Sequence, residues 1–156
     1  MNLQYKVRIF FLLFCFFGLA ACNQLGIKDK EEQQPQEDLF EIQAQADEAY
    51  QANKYALAEA KYEMLIKASP ENAKNWFRLG NIYVRTNRPV AAINLYREAV
   101  LRDPTFSKAW FNLSIVQLKQ TAYSLNEMLI YVDKNDPMYT RAKNLLDGIQ
   151  EIVQSE

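Results

Sequence analysis

Histidine is absent from the 156 residues. That removes the side chain most often used as a general base near neutral pH, and the commonest metal ligand. Cysteine occurs only at positions 15 and 22, both ahead of the main part of the chain, so disulfides cannot staple the rest. The four glycines are scattered and form no phosphate-cradling loop. An excess of basic charge is missing too: 18 basic and 19 acidic side chains give a net charge of −1, which argues against a nucleic-acid partner. The one long apolar run, IFFLLFCFFGL at 9–19, is shorter than the roughly 20 residues needed to cross a bilayer. A carboxylate pair stands at Glu59 and Glu63, four apart and flanked by Lys61 and Lys67. Such a pair can do acid and base work, but this one reads as a solvated charged face. We expect no enzyme, with no catalytic residue, no metal site and no cofactor.

What the chain does have is internal repetition, with a period of about 34 residues. Trp76 recurs as Trp110 and Leu79 as Leu113, while Ala58, Tyr62 and Pro70 return as Ala92, Tyr96 and Pro104. Repetition at this period predicts stacked helical pairs in which no unit buries its own apolar stripe without a neighbour. Trp76, Leu79 and Tyr83, then Ala92, Tyr96 and Ala99, are spaced by threes and fours, so each set lies on one face of a helix. Between them Thr86-Asn87-Arg88-Pro89 reads as a turn: asparagine tolerates a left-handed conformation, and proline suits the first turn of a helix. Gly80 is expected opposite Ala92 in an antiparallel pair.

The spacing Trp76-x2-Leu79-Gly80-x2-Tyr83, followed by Ala92-x3-Tyr96 and Pro104, resembles the tetratricopeptide repeat. The resemblance implies an all-α fold, an α-solenoid of about three helix-turn-helix repeats plus a C-terminal capping helix. Repeats are expected at about 39–72, 73–106 and 107–137, with the capping helix at 138–154, all within a domain covering 38–156. Repeat one is degenerate at its start, with Ile42, Ala46 and Ala49 in place of the tryptophan, glycine and tyrosine, as suits a terminal unit. In repeat three, Gln117, Asn126 and Ile130 replace packing residues, and Asp136-Pro137 falls one position short of a full period after Asp103-Pro104. A second helix over about 122–132 is still expected there, with the missing residue taken from a loop. Spacing leaves two places for the last helix, on repeat three or folded back across the array.

At the other end, Lys6 and Arg8 precede the apolar run, and Leu19-Ala20-Ala21-Cys22 follows it. This is the pattern of a secretory signal, and its exit resembles the lipobox of bacterial lipoproteins. The resemblance implies cleavage of 1–21 and a covalent lipid on Cys22. It also implies anchoring in the bacterial cell envelope, with Asn23 rather than aspartate directing the chain to the periplasmic face of the outer membrane. Loss of 1–21 would remove two basic side chains and no acidic one, leaving a net charge of −3. Residues 22–37 are charged, rich in glutamine and poor in apolar side chains, which predicts a flexible tether of roughly 20–25 Å.

In tetratricopeptide arrays the concave groove is lined by the first helix of each repeat. Register then nominates Phe40, Gln43, Asp47, Tyr50 and Gln51, next Lys74, Phe77, Asn81, Val84 and Arg85, and last Lys108, Phe111, Ile115, Leu118 and Lys119. The family's clamp for a terminal carboxylate wants lysine and asparagine where Gln43 and Asp47 stand, so that clamp is not expected. An apolar groove with a basic edge is: Phe40, Tyr50, Phe77, Asn81, Val84, Arg85, Phe111, Ile115 and Leu118 are the candidate partner-binding residues. The chain is therefore read as a lipid-anchored adaptor holding an envelope protein or peptide segment, as in pilus, secretion or outer-membrane assembly. An accessory regulator that docks and localises a cell-wall enzyme is the alternative. No residue pattern specifies an oligomeric state.

Overall fold

The computed structural model describes residues 38–154. Among them are six helices and no strand: α1 (Leu39–Gln51), α2 (Tyr55–Ala68), α3 (Ala73–Arg85), α4 (Pro89–Arg102), α5 (Ser107–Tyr131) and α6 (Pro137–Gln154). Cys22 and the expected signal and tether lie outside the described residues, as does the rest of 1–37.

The first two units are near copies because their ends carry the same chemistry. Asp38 and Asn72 cap α1 and α3, each accepting a hydrogen bond from the backbone N–H two residues on, at 3.0 and 3.1 Å. Both helices then stop at a left-handed asparagine, Asn53 at φ 56° and Asn87 at φ 58°. There the next N–H turns back to a carbonyl in the last turn, Lys54 to Ala49 at 2.8 Å and Arg88 to Tyr83 at 2.7 Å. This is a Schellman closure, open to asparagine because its short polar side chain tolerates the left-handed region. The loops leading into the next first helix are locked by tryptophan. Trp76 Nε1 donates to the carbonyl of Pro70 at 2.9 Å, and Trp110 Nε1 to that of Pro104 at 3.0 Å.

Helices pack chiefly on their neighbours in sequence, the arrangement of a solenoid. One apolar cluster joins Ile42, Ala46, Ala58, Tyr62 and Leu65 to Leu79 and Ile82 of the next unit. A second joins Ala92, Tyr96, Ala99 and Val100 to Ala109, Leu113 and Val116. Each second helix is thus sandwiched between its own first helix and the following one. Gly80 abuts the ring of Tyr96 rather than Ala92, since a Cβ built there would lie 2.6 Å from a ring carbon. In unit one the same place is held by Ala46 beside Tyr62, both fully buried.

Unit three departs from the expected helix-turn-helix. No turn interrupts it, and α5 runs unbroken from Ser107 to Tyr131, about 37 Å at the usual rise. The cause is local. One period on from Asn87, Arg88 and Pro89 stand Thr121, Ala122 and Tyr123, which offer neither a left-handed residue nor a proline. The polar side chains of α5 bond within the helix instead: Ser114 to the carbonyl of Trp110 at 3.0 Å, and Thr121 to that of Gln117 at 3.0 Å. After a short turn α6 packs against α5 through Ala142, Leu146 and Ile149. It takes the first of the two places the sequence allowed.

Candidate functional site

A hollow of about 350 Å³ opens between the first helices, lined by Tyr50 of α1, Asn81, Val84 and Arg85 of α3, Tyr96 of α4, and Phe111, Asn112, Ile115, Val116 and Lys119 of α5. Six of the nine partner-binding candidates therefore meet on one surface: Tyr50, Asn81, Val84, Arg85, Phe111 and Ile115. Phe77 lines an adjoining hollow with Lys108 and Phe111, and is half-buried against Tyr96 and Phe106 at ring distances of 5.8 and 4.8 Å. Two candidates fall elsewhere. Phe40 is 80% exposed at the start of α1 and lines none of these hollows, since among the described residues no helix precedes α1 to form a wall. Leu118 is half-buried and does not line the groove.

Two hydrogen-bonded clusters stand in the same register, and the second, with Tyr96, Asn81 and Asn112, forms the floor of the groove. In the first, the Tyr62 hydroxyl and Gln43 donate to the Asp47 carboxylate, with Arg78 Nε 3.9 Å away. In the second, one period on, Tyr96 donates to Asn81 Oδ1 at 2.8 Å, and Asn112 Nδ2 donates to the same oxygen at 2.9 Å. The first cluster is charged and the second neutral, yet both hold a buried tyrosine in one rotamer. Burial pushes both tyrosines up, and Tyr62 is raised further by the Asp47 carboxylate it bonds. For Tyr96 burial is again the main cause, and it is pushed up to about 12.

Arginines stack around the aromatic wall. Arg78 and Arg85 lie over the Tyr50 ring at 5.1 and 5.8 Å, and Arg85 also donates to the Tyr55 hydroxyl at 3.4 Å. No acidic side chain lines the groove, so it presents aromatic and aliphatic surface beside two cations, Arg85 and Lys119.

The carboxylate pair has a structural occupation. Arg88 grips Glu59 with two parallel hydrogen bonds at 2.7 and 2.5 Å while its guanidinium covers the Tyr83 ring at 3.8 Å. Those hydrogen bonds hold the Glu59 carboxyl below its ordinary value. A carboxylate so held is a poor proton donor near neutral pH, and Glu63 stands exposed beside it. Among the described residues no group of three or more cysteine, aspartate or glutamate side chains could hold a metal ion, and no helix is long and apolar enough to cross a membrane.

The tetratricopeptide repeat model matches this sequence twice, over residues 44–105 and 77–131, together more than half of the chain. The chain belongs to the tetratricopeptide repeat family. Its fold is a protein-interaction scaffold of that family. Among solved structures, the TPR2B domain of yeast Sti1 in a complex with pHsp70 superposes with a TM-score of 0.52 at 20% identity, covering 72% of this chain and 96% of that one. At that identity the likeness concerns the fold. No curated protein matches the sequence.

Sequence reasoning missed Tyr96, Asn112 and Val116 as groove residues. Tyr96 read as a packing residue and Val116 was not singled out; both are core residues that also line the groove. Asn112 had a usable signal, because it stands one period after Arg78, the partner of Asp47.

Proposed function

We propose that this protein is a lipid-anchored adaptor of the bacterial cell envelope that holds a protein or peptide segment in the groove between α1, α3 and α5. The observation that carries the reading is the groove itself: Tyr50, Val84, Phe111 and Ile115 form an apolar wall that α6, packed on α5, leaves open. Contiguous apolar surface gathered in a concave hollow marks a docking site. The related yeast domain, solved in a complex with pHsp70, supports a peptide as the occupant. The anchor rests on Leu19-Ala20-Ala21-Cys22 after a short apolar run. A diacylated cysteine would hold the chain firmly, because two acyl chains anchor where one gives only marginal binding. The periplasmic face of the outer membrane is the address that Asn23 suggests. No catalytic step belongs to this reading, since Glu59 is committed to Arg88.

Photo-crosslinking in cells tests it, with a photoreactive residue at Val84 and, separately, at Phe111. One envelope protein attached from both positions is the expected result. Adducts confined to this chain, from both positions, would contradict it. The anchor is tested by metabolic labelling with palmitate: label on the wild type and none on Cys22→Ser is expected, and label retained by the variant would remove Cys22 as the acceptor.

A further inference from the structure

Three hollows lie in a row along one face of α5. The groove shares Phe111 and Asn112 with the hollow beside Phe77, and shares Lys119 with a third of about 320 Å³. The third is formed where the second half of α5 meets the end of α6, at Ala122, Tyr123, Asn126, Ile149 and Val153. Lys108, Phe111, Asn112, Ile115, Lys119, Tyr123 and Asn126 follow one another by ones, threes and fours, and so stay on one helical face. This face is continuous only because α5 does not turn at Thr121. A second helix folded back from that point would end the row.

We infer that the row is a single binding channel, and that its occupant is an extended segment of a partner protein with an acidic side chain set between apolar ones. This rests on the groove reading above and adds to it a subsite at Tyr123, Asn126 and Val153. Length comes first. From Lys108 to Asn126 the helix rises about 27 Å, the reach of roughly eight extended residues. Charge comes second. Arg85, Lys108 and Lys119 line the three hollows and no aspartate or glutamate does. Lys119 stands at the junction of two of them, where a carboxylate flanked by apolar side chains would meet it. Asp47, the acidic group nearest the groove in register, already accepts from Tyr62 and Gln43 and lies outside the row. Backbone chemistry comes third. Asn81, Asn112 and Asn126 line the channel. The Asn81 oxygen accepts from Tyr96 and Asn112, and Asn126 Nδ2 donates to the Ala122 carbonyl. It is therefore Asn81 Nδ2 and the Asn112 and Asn126 oxygens that would serve an extended backbone, which needs such partners, whereas a helix satisfies its own.

The test is a selection from a displayed library of random peptides about twelve residues long, made against the full chain in detergent micelles. The enriched peptide is then synthesised with both ends blocked and its affinity measured by fluorescence polarisation. Enriched sequences should carry aspartate or glutamate between apolar residues, and Lys119→Glu should turn the selection toward lysine and arginine. Tyr123→Ser and Val153→Ser should each weaken the blocked peptide by about tenfold, as loss of one desolvated contact does, with helicity retained. Phe111→Ser should weaken it as well. Full affinity in Tyr123→Ser and Val153→Ser together with loss in Phe111→Ser would overturn the added subsite and leave the groove reading standing. Binding that vanishes when the peptide's own carboxyl terminus is blocked, or enriched peptides without acidic residues, would overturn the charge assignment. No enrichment, or indifference to Phe111→Ser, would overturn the groove reading as well.

Discussion

Units one and two turn at an asparagine and fold back, whereas unit three carries straight on. The consequences can be followed at equivalent positions. Tyr96 is 1% exposed, locked between its own first helix and the next, while Ile130, one period later, is 69% exposed. Gly80 has the Tyr96 ring against it; its counterpart Ser114 is exposed. Trp76 lies under the Arg102 guanidinium at 4.2 Å, and Arg102 also donates to the Pro70 carbonyl that Trp76 holds. Trp110 makes the matching bond to Pro104 but is 48% exposed, because the position equivalent to Arg102 is Asp136, which caps α6 instead. A unit of this family is thus defined less by its apolar stripe than by three turn residues that bring the stripe back. Remove the turn, and the same helix becomes a strut that ends the array and prolongs its inner face.

The largest contrast should appear at the equivalent pair Tyr96 and Ile130. Tyr96→Ala should destabilise by about 3–5 kcal/mol, as for other large buried aromatics, and Ile130→Ala by under about 0.5 kcal/mol, as for exposed sites. Urea unfolding followed by circular dichroism measures both. Equal effects would mean that Ile130 is covered after all.

Next come the glycines. Gly80→Ala pushes a methyl group into the Tyr96 ring and should lower stability by about 1–3 kcal/mol. Gly148→Ala, at an exposed position on α6, meets nothing within 4 Å and should raise it by about 0.5–1 kcal/mol. The thermal midpoints of the two variants should move in opposite directions.

The turn itself gives a smaller effect. Asn87→Ala forces a β-carbon into the left-handed region and should weaken the fold by about 1–2 kcal/mol, whereas Asn87→Gly should restore it. At Thr121, where no turn exists, alanine should be tolerated, because that residue is already helical.

The smallest contrast is in pH response. Glu59 has a folded pKa below its usual 4.5, so its bond to Arg88 stabilises the protein fully above that value, and the contribution fades as pH falls through the lowered one. Glu59→Gln should flatten the acid limb of the stability curve below about pH 4.5. At the other end, Tyr96 rises from 10 to about 12, so the stability tied to its neutral form is present below pH 10 and lost between the two values. Tyr96→Phe should remove that alkaline loss.

Which parts were legible in the sequence follows from the same comparison. Trp76, Pro70, Asn53, Asn87, Pro89 and the alanine–tyrosine pairs each have one local duty and announce it by residue type, so units one and two were readable with their turns. Unit three kept apolar residues at helical spacing through Leu125, Met128, Leu129 and Val132, which suggested a second helix. Periodicity shows that a segment is helical; it cannot show that a turn precedes it. The informative residues were Thr121, Ala122 and Tyr123, whose register with Asn87, Arg88 and Pro89 excludes the turn. The groove was legible where first-helix register governs, at Tyr50, Asn81, Val84, Arg85, Phe111 and Ile115. It was not at Phe40, which stands 80% exposed at the start of α1, nor at Leu118, which shares the register of Val84 but does not line the groove.

One distance tests the unbroken helix most directly. Spin labels at Ser107 and Tyr131, placed in a chain whose Cys15 and Cys22 are replaced by serine, report the separation of the two ends of α5. A continuous helix predicts about 36 Å between the backbone positions. A separation near the roughly 8–10 Å of two packed helices would mean that unit three folds back like the others. The strut and the channel along it would then both be wrong.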